Sequence, residues 1–250
     1  MTMTLDIRNG QRANTIADVV AMMTALDQEL PPNDGVRLFN HLYLEVTRSV
    51  GNAVSTATFA DRAFLERLDV VFANLYFDAV AAGSADPSQA PAAWRPLFES
   101  RNSAGILPLQ FSLAGMNAHI NRDLPQGIVS AYLSSGGAPV VRDARYDDFL
   151  SVNDLLEAVE SQIKGGYSTG LIAVVDAAAG TMDDAVAMFK IRAAREAAWT
   201  NAEVIWTLRA TPRLGANFFS KLDSFTGFAG RGMLKPVAVS GRIAAVTGRA

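Results

Sequence analysis

The run Asn33-Asp34-Gly35-Val36-Arg37-Leu38-Phe39-Asn40-His41-Leu42-Tyr43-Leu44-Glu45-Val46-Thr47-Arg48-Ser49-Val50 decides how this chain reads. Val36, Leu38, Phe39, Leu42, Val46 and Val50 recur with a helical period, and Asn33-Asp34 can cap the first turn. Inside the run lies His41, with Glu45 four residues on. Four residues is just over one helical turn, so the two side chains share a face roughly 6 Å apart.

Working outward, the same period recurs. Residues 15–30 carry Ile16, Val19, Val20, Met23 and Leu26, and Pro31-Pro32 ends the segment. Thr58 can cap a helix over residues 60–82. A short helix is expected around residues 94–101. Pro108 suits the first turn of another, over residues 107–133, in which Pro125 should kink or break the backbone just past Asp123. Residues 147–164, 182–208 and 216–228 also read as helix. Residues 83–91 and 134–139 read as loops. There is no internal repeat and no composition shift. The expected architecture is therefore all-α: one domain over residues 1–250, a bundle of about seven to eight helices, with 1–13 and 237–250 as irregular tails.

Composition narrows the chemistry. Half of the 250 residues are hydrophobic, the net charge is −3, and no Lys/Arg block with interleaved aromatics occurs, which argues against a nucleic-acid partner. The absence of cysteine excludes disulfides, thiolate metal sites and a Cys nucleophile. Residues 1–8 lack a stretch of signal-peptide length. The longest apolar run, residues 171–179, contains Asp176 and is too short for a bilayer, so no membrane partner is expected. The expectation is a soluble, cytoplasmic protein of unknown oligomeric state. Gly166-Tyr167-Ser168-Thr169-Gly170 matches a nucleophile elbow in letters only, because a helix precedes it and both histidines come earlier. No nucleotide-cofactor motif is present.

The second histidine repeats the first arrangement. In Gly115-Met116-Asn117-Ala118-His119-Ile120-Asn121-Arg122-Asp123, an acid again follows by four residues. His41, Glu45, His119 and Asp123 could ligate one divalent ion of Fe, Mn or Zn. They could instead serve as general acid and base without metal, or simply pair locally as structural groups. Asn40, Asn117 and Asn121 add polar groups to apolar stretches and are candidate substrate contacts. Asp69, Phe72 and Tyr76 share a helix face. Asp69 is a candidate base or the partner of an arginine such as Arg48, and Tyr76 is a candidate catalytic hydroxyl. Arg192, Glu196, Trp199, Glu203 and Trp206 form a further stripe. Its Trp199 could line a substrate cavity, while Trp206 reads as a core seam.

The segments Phe39–Thr47, Leu68–Ala73 and Ala114–Pro125 resemble those of an uncharacterised, mainly actinobacterial domain-of-unknown-function family. The resemblance implies a stand-alone helical domain and draws attention to the same His and acid positions, with no activity to carry over. A lesser likeness links His119, Asp123 and Gln126 to the helical zinc phospholipase C and nuclease group. That group uses more histidines for its three zincs than this chain has. Together these features lead us to expect an enzyme acting on a small, largely apolar substrate in a helical core. Isomerisation, cyclisation or hydrolysis would suit it, as in a tailoring step of specialised metabolism. The competing expectation is a non-catalytic helical protein that binds a lipid-like ligand or a protein partner.

Overall fold

The computed structural model describes residues 7, 10–56, 58–141, 143–153, 156 and 191–236, and they form an all-α bundle with no strand among them. The elements in order are α1 (Ile16–Glu29), α2 (Gly35–Thr56), α3 (Arg62–Gly83), a 3₁₀ turn (Pro87–Gln89), α4 (Arg95–Ser100) and α5 (Pro108–Ala118). A π-helical turn (His119–Asp123) and α6 (Leu124–Ser135) follow. Residues 144–153 are helical (α7), then come α8 (Ile191–Leu208) and α9 (Pro212–Met233). The expected Gly-x-Ser-x-Gly stretch, the run 171–179, and the parts of the expected helices at 157–164 and 182–190 lie outside the described residues. So do residues 237–250.

Side chains close the helix ends. Thr15 and Asp18 form a reciprocal capping box on α1, with Thr15 Oγ1 accepting from the Asp18 N–H at 3.1 Å and Asp18 Oδ2 accepting from the Thr15 N–H at 2.9 Å. Asp34 starts α2, accepting from the Val36 N–H at 2.8 Å, and also pairs with Arg101 at 2.6 Å. The cap of α3 is Asp61, not the expected Thr58. Its carboxylate accepts from the Phe64 N–H at 3.0 Å and from Arg145 at 2.7 Å, and a carboxylate does both at once. The irregular N-terminal stretch is docked, because buried Asn74 exchanges two 2.9 Å hydrogen bonds with the backbone of Ala13.

Two apolar cores adjoin. One gathers α1, α2, α4 and the C-terminal half of α3, the other α6, α8, residue 149 of α7 and the N-terminal half of α3, and α5 lies between them, giving Phe111, Ala114 and Ala118 to the first and Leu109 and Leu113 to the second. Phe72, Met116 and Met233 pack against both. Helix α2 comes close to α5 because residue 115 is glycine: a Cβ there would collide with the Phe39 ring. Among the described residues no helix is long and apolar enough to cross a membrane.

Pro125 is expected to kink or break the helix just past Asp123; instead the chain carries a π turn over His119–Asp123 that runs directly into α6. The proline has no N–H to donate, and its ring would crowd the carbonyl four residues back. The chain answers by widening residues 119–123 into a π turn, closed by the Leu124 N–H on the His119 carbonyl. Proline then sits in the first turn of α6, where it costs little.

Candidate functional site

The π turn delivers His119 and Asp123 to the junction of the two cores. Asp123 is fully buried, and His119 is 3% exposed. Asp123 Oδ2 accepts from His119 Nδ1 at 3.0 Å and from the Trp94 indole N–H at 2.9 Å, while Oδ1 accepts from Arg122 at 2.5 Å. Arg122 also faces Asp223 of α9 at 3.2 Å, and Asp223 accepts from the Ala92 and Ala93 N–H groups at 3.0 and 2.9 Å. Trp94 and Arg122 already donate to Asp123, which marks it as an acceptor, so the His119 nitrogen facing it, Nδ1, is assigned the ring proton and Nε2 presents a lone pair.

That Nε2 has no hydrogen-bond partner among the described residues. The ring is stacked on Phe72 at 3.5 Å and 5°, and Tyr43 meets it edge-on at 4.5 Å. His119 lines a cavity of about 100 Å³ whose walls are mainly apolar, including Leu42, Val46, Leu68, Ile120, Leu124 and Phe149. The cavity's polar lining is Asp69, Arg195, Tyr43 and His119. Asp69 lies one helical turn before Phe72 and lines the cavity, its Oδ2 buried and without a hydrogen-bond partner among the described residues. Arg195 donates to Asn153 at 2.7 Å and to the Phe149 carbonyl at 2.9 Å, and its guanidinium lies 4.0 Å over the Phe149 ring.

Burial sets the protonation here. It pushes the His119 imidazole below its ordinary value, against the opposing pull of Asp123. It pushes Asp69 up to about 7, with Arg195 opposing, and Arg195 down to about 9, with Asp69 opposing. The Tyr43 hydroxyl goes well above its usual range through burial and the nearby acids Asp69 and Asp123. A neutral base and a carboxyl able to hold its proton near neutrality therefore face one small apolar space.

A carboxyl whose folded pKa is raised contributes stability fully present below its unfolded value, near 4, and lost as pH rises through about 7. Between pH 5 and 8 this single group is expected to cost the fold about 2–3 kcal/mol. Asp69→Asn should flatten that loss, as read by urea unfolding at each pH. An unchanged slope would remove Asp69 from the buried titrating groups.

The other half of the expected four-residue set is elsewhere. His41 is 62% exposed and faces Asp27 at 3.5 Å, and Glu45 is exposed and pairs with Arg48 at 2.5 Å. The reason is helical phase. Phe39 and Tyr43 both touch His119, and His41, two residues from each, points about 200° away. His41, Glu45, His119 and Asp123 therefore do not converge, and no group of three His, Asp or Glu able to hold a metal occurs among the described residues.

The remaining candidates are structural ties. Asn40 donates to the Met23 carbonyl at 2.9 Å and accepts from the Tyr76 hydroxyl at 3.3 Å, so neither side chain is free for substrate. Asn117 donates to the Thr226 carbonyl at 2.9 Å and accepts from Asn121 at 3.1 Å, which ties α5 to α9. Trp199 is fully buried in the second core against Tyr146, Phe149 and Tyr132, and does not line the cavity. Trp206 also packs on Tyr132. Asp69 faces Arg195, not Arg48.

Sequence reasoning missed Tyr43, Trp94, Arg122 and Arg195. Arg195 carried a readable signal, since it precedes buried Ala198, Trp199 and Ala202 by three, four and seven residues. Trp94 carried none, because it reaches Asp123 from a separate turn. No curated protein and no solved structure matches the chain. The chain belongs to a family of unknown function, DUF5995, whose model matches residues 16–236.

Proposed function

We propose that this protein is an acid–base enzyme that relocates a proton on a small, largely apolar carbonyl compound held in the cavity beside His119. The carrying observation is the unpartnered Nε2 of a buried histidine whose Nδ1 is held by Asp123. A neutral imidazole so oriented is a general base. The substrate's C–H bond next to the carbonyl breaks, the proton goes to Nε2, and the electron pair moves towards oxygen. Asp69, holding its proton below about pH 7, donates it to that oxygen. Where the substrate is a β,γ-unsaturated ketone, return of the proton from Nε2 to the γ-carbon of the dienol, with Asp69 recovering its own, completes an isomerisation; a saturated ketone shows only α-hydrogen exchange. Asp123 stabilises the imidazolium formed between the two steps.

The apolar walls favour a substrate with few polar groups, and the cavity suits a molecule of about benzene size. Among the described residues, a metal-assisted version would have His119 and Asp69 as its cavity-facing ligands, which is fewer than one site needs.

The test is exchange of α-hydrogens of small cyclic ketones and enones in D₂O, followed by proton NMR. Exchange by the native chain should fall about 10²- to 10⁴-fold in His119→Gln, and should decline with one proton above about pH 7 as Asp69 ionises. Binding of the ketone with no exchange above the solvent rate would overturn catalysis in favour of an apolar-ligand carrier. Metal found stoichiometrically in untagged protein and lost in His119→Gln would overturn the metal-free form.

A further inference from the structure

Helix α9 has one face in the bundle and one outside it. The inner face carries Asp223, Thr226, Gly227 and Gly230 against the 91–94 turn and α5. The outer face carries exposed Leu214, Lys221, Phe225, Phe228 and Gly232, with half-buried Phe218 in the same row. Leu214 is 59% exposed, Phe225 71% and Phe228 76%. Exposing large apolar side chains in one row on a single helix signals a partner.

The order of the row says which partner. Its spacings are four, three, four, three and four, the 3.5-residue repeat of a helix that pairs with another helix. The row is also self-complementary about a two-fold axis level with Asp223. In an antiparallel pair, Leu214 meets the partner's Gly232, where a Cβ has open space around it. Phe218 meets the partner's Phe228, and Lys221 meets the partner's Phe225, a cation over a ring. Charge follows the same symmetry. Arg213 and Arg231 lie on one flank, and Arg231 is paired with Glu99 at 3.2 Å. Antiparallel packing brings Arg213 of one copy beside Arg231 of the other, whose charge Glu99 offsets.

We infer that the protein forms a two-fold symmetric dimer through antiparallel pairing of α9 with α9 of a second copy. Light scattering with size exclusion, across a dilution series, should show a mass that doubles with concentration. Phe225→Glu combined with Phe228→Glu should abolish the doubling while leaving the helical circular dichroism unchanged. The chain has no cysteine, so orientation can be read by cross-linking. Leu214→Cys mixed with Gly232→Cys should give a disulfide-linked pair. Neither variant should do so alone, because the two positions are about 27 Å apart along the helix. A monomer at every concentration would overturn the inference, as would a dimer that survives the double glutamate variant. Cross-linking of either cysteine variant by itself would overturn the antiparallel arrangement. Capture of a monomeric chain by anionic phosphatidylserine vesicles, lost in the glutamate variant, would assign the face to a membrane surface and overturn it as well.

Discussion

Asp123→Ala is expected to remove about 3–5 kcal/mol of stability, because it leaves buried donors without their acceptor. The groups stranded are the His119 Nδ1–H, the Trp94 indole N–H and one arm of Arg122. For a chain of this length the loss corresponds to a fall in Tm of roughly 10 °C. Calorimetry checks it, and a fall of only a degree or two would show that water or a rearranged Arg122 replaces the carboxylate. Asp123→Asn separates function from folding. It keeps the shape but puts an N–H where one of three donors now points. The His119 ring is then expected to carry its proton on Nε2, and ketone exchange to fall about 10²- to 10⁴-fold. With only two histidines in the chain, nitrogen NMR of the ring reads the tautomer directly.

Gly227→Ala is expected to cost about 2–4 kcal/mol, although the same change inside an exposed helix would stabilise it. A Cβ at residue 227 would overlap the Ala92 carbonyl oxygen and sit 2.8 Å from its carbon, and backbone cannot rotate away. The helix must lift off the 91–94 turn. That stretches the Asp223 hydrogen bonds to the Ala92 and Ala93 N–H groups and the Asp223–Arg122 pair. Arg122 holds Asp123, so the His119 tautomer should loosen with it. Gly232→Ala is the control in the same helix. It meets nothing within 4 Å and should leave the Tm unchanged or slightly raised. Equal effects at the two positions would point to helix propensity alone.

Much of the helical scaffold was legible because its signals are local. Thr15 capping α1, Asp34 starting α2, Pro108 opening α5 and the glycines after α6 act within a few residues of themselves. Pro125 was readable as a disruption, but the form of the disruption was not. A widened turn running straight on into α6 is one of several answers to a proline, and the same residue elsewhere breaks a helix outright. Helix α9 also runs further in both directions than residues 216–228. Its first turn is closed by the Gly215 N–H on the Thr211 carbonyl, and its last by the Gln110 amide on the Met233 carbonyl, the second a contact across the bundle.

The candidate site divides along the same line. Spacing alone pairs His119 with Asp123, because neighbours four apart on a helical backbone meet whatever surrounds them. Spacing gave His41 and Glu45 equal standing, and the structure separates the two pairs by burial. Phe39 and Tyr43 are larger and more apolar than His41, so they turn inward and carry His41 out to solvent. Trp94 on Asp123, Asp223 beside Arg122, and Asp69 and Arg195 lining the cavity with His119 are set by contacts between segments distant in the chain. No local pattern encodes those distances. The sequence by itself determined an all-helical chain and one histidine paired to one acid, since caps, period and i+4 geometry are properties of the backbone. Only the tertiary structure decided which histidine is buried and which acid faces it with a raised pKa. Burial and desolvation exist only once helices close on one another.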